Sequence, residues 1–338
     1  MIKEAIKEIK KRNNLSKEIM TAVMNEITQG ACCDEDIAEF LSELREKGET
    51  VEEITAAAKV LKERCIKTEL GTYNTLDIVG TGGDMSNTFN ISTAAAFVAA
   101  SGGIPVAKHG NRALTSKSGS SDVLEALGIN INKTPSQEVE IFKKQNLCFL
   151  SAQNHHPAMK YAAKARKMVK KRTLFNILGP LTNPAFAKSQ LFGVFDGNLT
   201  SVLAEVISEL GVENVLVVHG EDGLDEATIC DKTIIAEARN GKISQYTIKP
   251  EDYGFKRSNL AEIQGGNAEE NAQIIIDIFN GKETGAKRDI VILNSALAFY
   301  TFKKTTSIMQ GISYAQNLIK SGMALAKLNQ CIKITNEE

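Results

Sequence analysis

From Leu76 onward, short apolar runs of strand length alternate with longer amphipathic stretches. Runs of this kind, buried on both faces and joined by helical crossovers, mark a largely parallel sheet covered by helices. An α/β fold is therefore expected. The strand candidates are Leu76 to Val79, Ile104 to Ala107, Leu147 to Ser151, Leu191 to Phe195 and Val215 to Val218, with helices between them. Beyond Thr228, the runs Thr233 to Ala238 and Ile243 to Ile248, parted by Arg239, Asn240 and Gly241, read as an antiparallel hairpin. Helices near 267–280, 289–300 and 304–327 close the chain.

The N-terminal part has no strand signal. Ile2, Ala5, Ile6 and Ile9 recur at helical spacing, and Ser16 caps a second segment that fades at Gly30. A third helix fits Glu35 to Lys47, closed by Gly48. Thr50 with Glu53 three residues on forms a capping box for Val51 to about Ile66. The expected organisation is a small helical domain over 1–70, joined by part of 165–185, and a large α/β domain over 71–338 with a mostly parallel central sheet. Two domains suit 338 residues. The first helix carries apolar residues beyond what three packed helices cover, which predicts docking of a second copy of the chain.

Lys plus Arg number 40 against 41 Asp plus Glu, a net charge of −1 that offers no general attraction to nucleic acid. No apolar run reaches the length of a membrane span. The charges spaced through MIKEAIKEIKKRNN interrupt the apolar stretch a secretory leader needs. Six cysteines without CxxC spacing (Cys32, Cys33, Cys65, Cys148, Cys230, Cys331) suggest reduced thiols and a cytoplasmic protein rather than a zinc site or a disulfide framework.

Five segments carry chemistry. In Asp77-Ile78-Val79-Gly80-Thr81-Gly82-Gly83-Asp84 a strand runs into three glycines, then a polar stretch, then a helix that Ser92 can cap. Close-approaching amides and a helix N-terminus suit a phosphate. Met85 breaks a Rossmann fingerprint, and no Gly-Lys-Ser/Thr follows. A plain strand-to-helix turn is the competing reading. The set Ser86, Asn87, Thr88, Asn90, Ser92 and Thr93 favours ribose and phosphate oxygens. The second segment, Lys108-His109-Gly110-Asn111-Arg112, ends a strand and leads into a second hydroxyl loop with Thr115, Ser116, Ser118, Gly119, Ser120, Ser121 and Asp122. Ligands sit at the carboxyl ends of parallel strands, so a phosphorylated anion fits here. His109 reads as a structural histidine or a catalytic base.

In the third, Asn154-His155-His156-Pro157, adjacent histidines do not converge on one metal ion. Arg166 falls two to three turns along the same helix. The fourth, Arg172 to Pro184, either folds over a site or joins two domains. The fifth, His219-Gly220-Glu221-Asp222-Gly223-Leu224-Asp225-Glu226, places four carboxylates between glycines at a strand end. These suit Mg²⁺ held together with substrate phosphates, or else a solvated acidic loop.

GTGGD, NIST, KHGNR with SGSSDVLEALG, HHPAMK, RTLFNILGPLTNP and VHGEDGLDE occur in one order, over nearly the whole chain. The combination resembles the anthranilate phosphoribosyltransferases. The resemblance implies a homodimer in the fold shared with pyrimidine nucleoside phosphorylases. It also implies transfer of phosphoribose from phosphoribosyl pyrophosphate (PRPP) to anthranilate, in tryptophan biosynthesis, with Mg²⁺ at two sites. By that match PRPP is held by Gly80, Gly83, Asp84, Thr88, Asn90, Ile91, Ser92, Thr93, Lys108, His109, Gly110, Asn111, Arg112, Ser116 and Ser120. Asp225, Glu226 and Ser92 would bind metal. Gly80, Asn111 and Arg166 would bind anthranilate, with His109, His156, Gly179 and Pro180 as neighbours. No residue is assigned as a general acid or base, and neither nucleic acid nor membrane is expected as a partner.

Three departures stand out: Thr115 for serine, Ser121 for alanine, and the basic stretch AAKARKMVKK around Arg166. The nearest rival is a pyrimidine nucleoside phosphorylase, against which Asn111, HHPA and DGLDE speak. A non-catalytic nucleic-acid binder is the rival of another class, disfavoured by the neutral net charge.

Overall fold

In the computed structural model, which describes residues 1–113, 117–239 and 241–337, seven strands form one sheet. They are β1 (Leu76–Gly80), β2 (Val106–Gly110), β3 (Leu147–Ser151), β4 (Ser189–Gly193), β5 (Asn214–Gly220), β6 (Thr233–Arg239) and β7 (Lys242–Ile248). Their order is β3-β2-β1-β4-β5-β6-β7. The first five are parallel, and β6 and β7 add an antiparallel hairpin at one edge. Arg239 pairs with Lys242 across the hairpin turn, and Asn240 lies outside the described residues.

The helices are α1 (Ile2–Lys10), α2 (Lys17–Thr28), α3 (Asp34–Lys47), α4 (Val51–Arg64), α5 (Ile91–Ser101), α6 (Ser120–Ala126), α7 (Pro135–Gln145), α8 (Ala152–His155), α9 (Ala163–Val169), α10 (Leu174–Leu178), α11 (Leu199–Glu209), α12 (Ala268–Phe279), α13 (Ala286–Thr301), α14 (Ile308–Lys320) and α15 (Met323–Asn336).

Period-two patterning decides how the layers form. Leu76, Ile78, Leu191, Leu216 and Val218 face a core with α5 and α12 to α15. Val79, Phe192, Val215 and Val217 point the other way, into a core shared with α11 and α1 to α4. The helical domain therefore helps to cover the second face of the sheet. Ala162, Ala165, Leu174, Phe175, Ile177, Leu178 and Leu181 pack into this same core.

Several expectations need correction. The apolar residues of α1 are covered within the chain: Ile2, Ala5, Ile6 and Ile9 are all buried, because α1 packs onto α3 and α2. They offer no surface for a second copy. The second strand begins at Val106, since Pro105 has no N–H for the ladder, and it extends through Lys108 and His109. The fourth begins two residues early, at Ser189, and ends at Gly193. The span 304–327 is two helices, broken where Gly322 takes left-handed backbone (φ 76°). Pro157 to Ala162 forms a 3-10 turn, so Arg166 rides on the separate α9.

Candidate functional site

The chain switches direction across the sheet between β1 and β4, and crevices of this kind receive ligands in α/β folds. At the carboxyl ends of these two strands, Gly80 and Gly193 are register partners. Asp225 lies directly over the pair. A Cβ on Gly80 would stand 2.5 Å from Asp225 Oδ2, and one on Gly193 would stand 1.6 Å from the Asp225 carbonyl oxygen. Only glycine admits the acidic loop to this position.

The loop after β1 closes over the same point. The Gly82 N–H donates to Asp225 Oδ2 at 2.5 Å, and the Asp84 carboxylate faces both Asp225 and Glu226. Asp84 in turn accepts from the Ser86 hydroxyl at 2.6 Å. Ser92, in the first turn of α5, hydrogen-bonds to Glu226 and accepts from Lys108 at 3.3 Å. Burial, followed by the neighbouring Asp84, pushes the Asp225 carboxyl well above the ordinary carboxylate range. Burial, followed by Asp225, does the same to Glu226. Lys108 is the nearby cation, itself 3% exposed and donating to the Ile78 carbonyl. Burial lowers its pKa against the pull of Asp77, Glu226 and Asp225.

Three clustered acids, buried Asp225 between half-buried Asp84 and Glu226, beside one lysine form a site that a divalent cation would neutralise. Among the described residues no cluster of three or more His, Cys, Asp or Glu has ligating geometry. A Mg²⁺ ion held by Asp225 and Glu226 would therefore complete its shell with water and substrate oxygens, its usual habit. The other two acids of the segment turn away: Glu221 pairs with Lys232, and Asp222 accepts from the Thr228 hydroxyl.

The remaining residues divide into those that face this point and those committed elsewhere. Ile91 and Thr93 have buried side chains in α5, so a ligand would meet the amides of its first turn, which lack intrahelical partners. Asn90 exchanges hydrogen bonds with Ser118 and accepts from Asn271 at 3.0 Å. Thr88 forms an isolated bridge with Gln264. Gly110, at the end of β2, makes room for Ser120, whose hydroxyl is bonded to the Asn111 backbone. Arg112 is turned to α6, held by Asp122 and bidentately by Glu125 at 2.7 Å. Thr115 and Ser116 lie outside the described residues.

Two buried histidines adjoin the acidic centre through Lys108. The rings of His109 and His156 stand 5.0 Å apart, with the Gly179 backbone facing His109 and that of Thr182 facing His156. Burial, then each other's proximity and His155, holds His109 well below the usual imidazole range. Burial, then His155, takes His156 down to about 4. Both Nε2 atoms are buried without a hydrogen-bond partner. Arg166 stands over the Phe175 ring at 5.7 Å and forms no ion pair among the described residues.

Sequence reasoning missed two contributors. Arg172 donates to the Gly83 carbonyl while stacking 4.1 Å over Phe195, which ties the glycine loop to the segment carrying α10. Asn271 reaches Asn90 from a distant helix and carries no local signal. The 172–184 segment both touches the site and packs with the helical domain, so the two alternatives offered for it were not exclusive.

Known proteins share this arrangement. Residues 3–65 match the helical bundle domain of a glycosyl transferase family and residues 72–325 its a/b domain. The anthranilate phosphoribosyltransferase of Endomicrobium trichonymphae is 51% identical over 337 residues, covering 100% of both chains. The chain belongs to the anthranilate phosphoribosyltransferase family. The crystal structure of the Thermus thermophilus member superposes with a TM-score of 0.93 at 38% identity, covering 98% of this chain and 99% of that one. The Saccharomyces cerevisiae member, in complex with PRPP and Mg, gives 0.91 at 27% identity, covering 99% and 97%.

Proposed function

We infer that this chain is an anthranilate phosphoribosyltransferase of tryptophan biosynthesis. It moves phosphoribose from PRPP to the amine of anthranilate and releases pyrophosphate. The observation that carries the reading is the acidic trio Asp84, Asp225 and Glu226, with buried Asp225 set over Gly80 and Gly193, against a glycine loop and a helix start. Such a site suits a magnesium diphosphate.

Asp225 and Glu226 would hold Mg²⁺, with a second position beside Ser92. When bound, the ion offsets the negative charge of the departing diphosphate. The Gly83 N–H and the Ser92 and Thr93 amides in the first turn of α5 would donate to the phosphates, since the Thr81 and Gly82 amides are bonded to Gly193 and Asp225. Lys108, committed to the Ile78 carbonyl and Ser92, balances the carboxylates rather than reaching the diphosphate itself. The aromatic amine is unprotonated at neutral pH, so the residues need only position it. The neutral rings of His109 and His156 offer polar atoms to the acceptor, and Arg166 supplies a cation for its carboxylate. We also propose a homodimeric assembly and a cytoplasmic location.

The test mixes the protein with PRPP, Mg²⁺ and anthranilate and follows the loss of anthranilate fluorescence, omitting each component in turn. Loss only in the complete mixture is expected. Phosphorolysis of thymidine or uridine with no PRPP-dependent loss would overturn the reading, and a monomeric mass by light scattering would overturn the dimer.

A further inference from the structure

The adjacent histidines His155 and His156 end α8 with their side chains on different neighbours. His156 faces His109, whereas His155 is fully buried beside the linker that leaves the helical domain. His155 Nδ1 lies 2.6 Å from the Ile66 carbonyl oxygen, and Nε2 lies 3.0 Å from Glu138 Oε1. The second Glu138 oxygen accepts from the Thr68 hydroxyl at 2.6 Å. The backbone completes the junction. The Ile66 N–H donates to the His155 carbonyl at 2.8 Å, and the Thr68 N–H to the Pro184 carbonyl at 3.2 Å.

A backbone carbonyl and a carboxylate are both acceptors. A neutral imidazole has one N–H and would satisfy one of these contacts, setting lone pair against lone pair at the other. An imidazolium satisfies both, while the Thr68 hydroxyl occupies the second Glu138 oxygen.

We propose that His155 is a positioning residue for the aromatic-acceptor pocket: locked as an imidazolium between Glu138 and the Ile66 carbonyl, it fixes the interdomain linker and holds His156 neutral against His109. The inference rests on the phosphoribosyl-transfer reading of that pocket. The titratable groups around His155 are Glu138 from α7, His156 on its own turn and His109 from β2, with Cys148 of β3 facing Glu138. Burial opposes the charge on His155, but Glu138 and the Ile66 carbonyl outweigh it and hold the pKa above the ordinary value. For a base raised in the folded state, the stabilisation is complete below the unfolded value of about 6.5 and is lost as pH rises through the folded one. The junction is therefore intact at low pH and released at high pH.

The test combines NMR titration of ring-labelled histidines with steady-state kinetics across pH, for the wild type and for Glu138→Gln. A glutamine keeps the shape and lets a neutral imidazole accept its N–H. In the wild type, His155 should be cationic at neutral pH. The anthranilate KM should rise roughly tenfold, the scale of one hydrogen bond, as that ring titrates, with the PRPP KM unchanged. In Glu138→Gln both the titration and the KM rise should move together to lower pH. A neutral His155 ring at neutral pH, a KM rise that ignores its titration, or proportionate changes in both KM values and kcat would each overturn the proposal. If the variant does not fold, the wild-type titration and pH profile decide. Absence of any turnover would remove the transferase reading, while the titration, read without substrate, would still show whether the clamp exists.

Discussion

Asp77 is an acid in the middle of a parallel sheet. It is fully buried and accepts from the His109 N–H at 3.0 Å, and burial pushes its pKa up to about 6 against the pull of Lys108. Raised above its unfolded value, it ionises first in the unfolded chain as pH rises. Stability therefore falls between about pH 4 and pH 6, by about 3 kcal/mol from this group alone. Asp77→Asn should flatten that part of the curve in urea unfolding at a series of pH values. An unchanged slope would place the titration elsewhere. At this scale residue type and position after a strand marked Lys108 and the four carboxylates Glu221, Asp222, Asp225 and Glu226, among which only the family resemblance chose Asp225 and Glu226. The sequence did not show that Asp84 faces both Asp225 and Glu226, because carboxylate proximity across 141 residues has no local signature.

Helix ends were legible because their chemistry is local. The capping box at Thr50 and Glu53 forms as its spacing predicts, and Ser16 caps α2. Glu53 does more than cap. Fully buried, it accepts from the Leu15 N–H, the Thr50 N–H and Lys47 Nζ, each at 2.8 Å. Glu53→Ala would leave two amides unpaired and buried Lys47 without its counter-ion, held only by Asn14 Oδ1 and the Gly48 carbonyl. Urea unfolding should show a loss of about 3–5 kcal/mol, against about 1 kcal/mol for Thr50→Ala, which removes only the cap. Equal losses would mean that the buried pair contributes nothing beyond capping. Strand ends were read less well: β2 continues into polar Lys108 and His109 because β1 and β3 flank it on both sides.

For the molecule as a whole, the site is assembled from the ends of β1, β2, β4 and β5 together with a segment that packs against the helical domain. The two substrates would rest on different parts of this assembly. The diphosphate side belongs to the sheet and α5, whereas Arg166 sits on α9, packed among the helical domain. Arg166→Ala should therefore raise the anthranilate KM by roughly 10- to 100-fold, the worth of a charged hydrogen bond, and leave the PRPP KM near its original value. Equal rises measured in both would detach Arg166 from the acceptor.

By itself, the amino-acid sequence determined the two-part architecture, the parallel sheet and the loops able to carry phosphate and metal. Those properties depend on periodicity, capping and glycine placement within a few residues of chain. Which acids meet, which cations are already neutralised and which way each of two adjacent histidines turns were decided only by the tertiary structure. Burial and through-space charge depend on neighbours that the chain brings from far away.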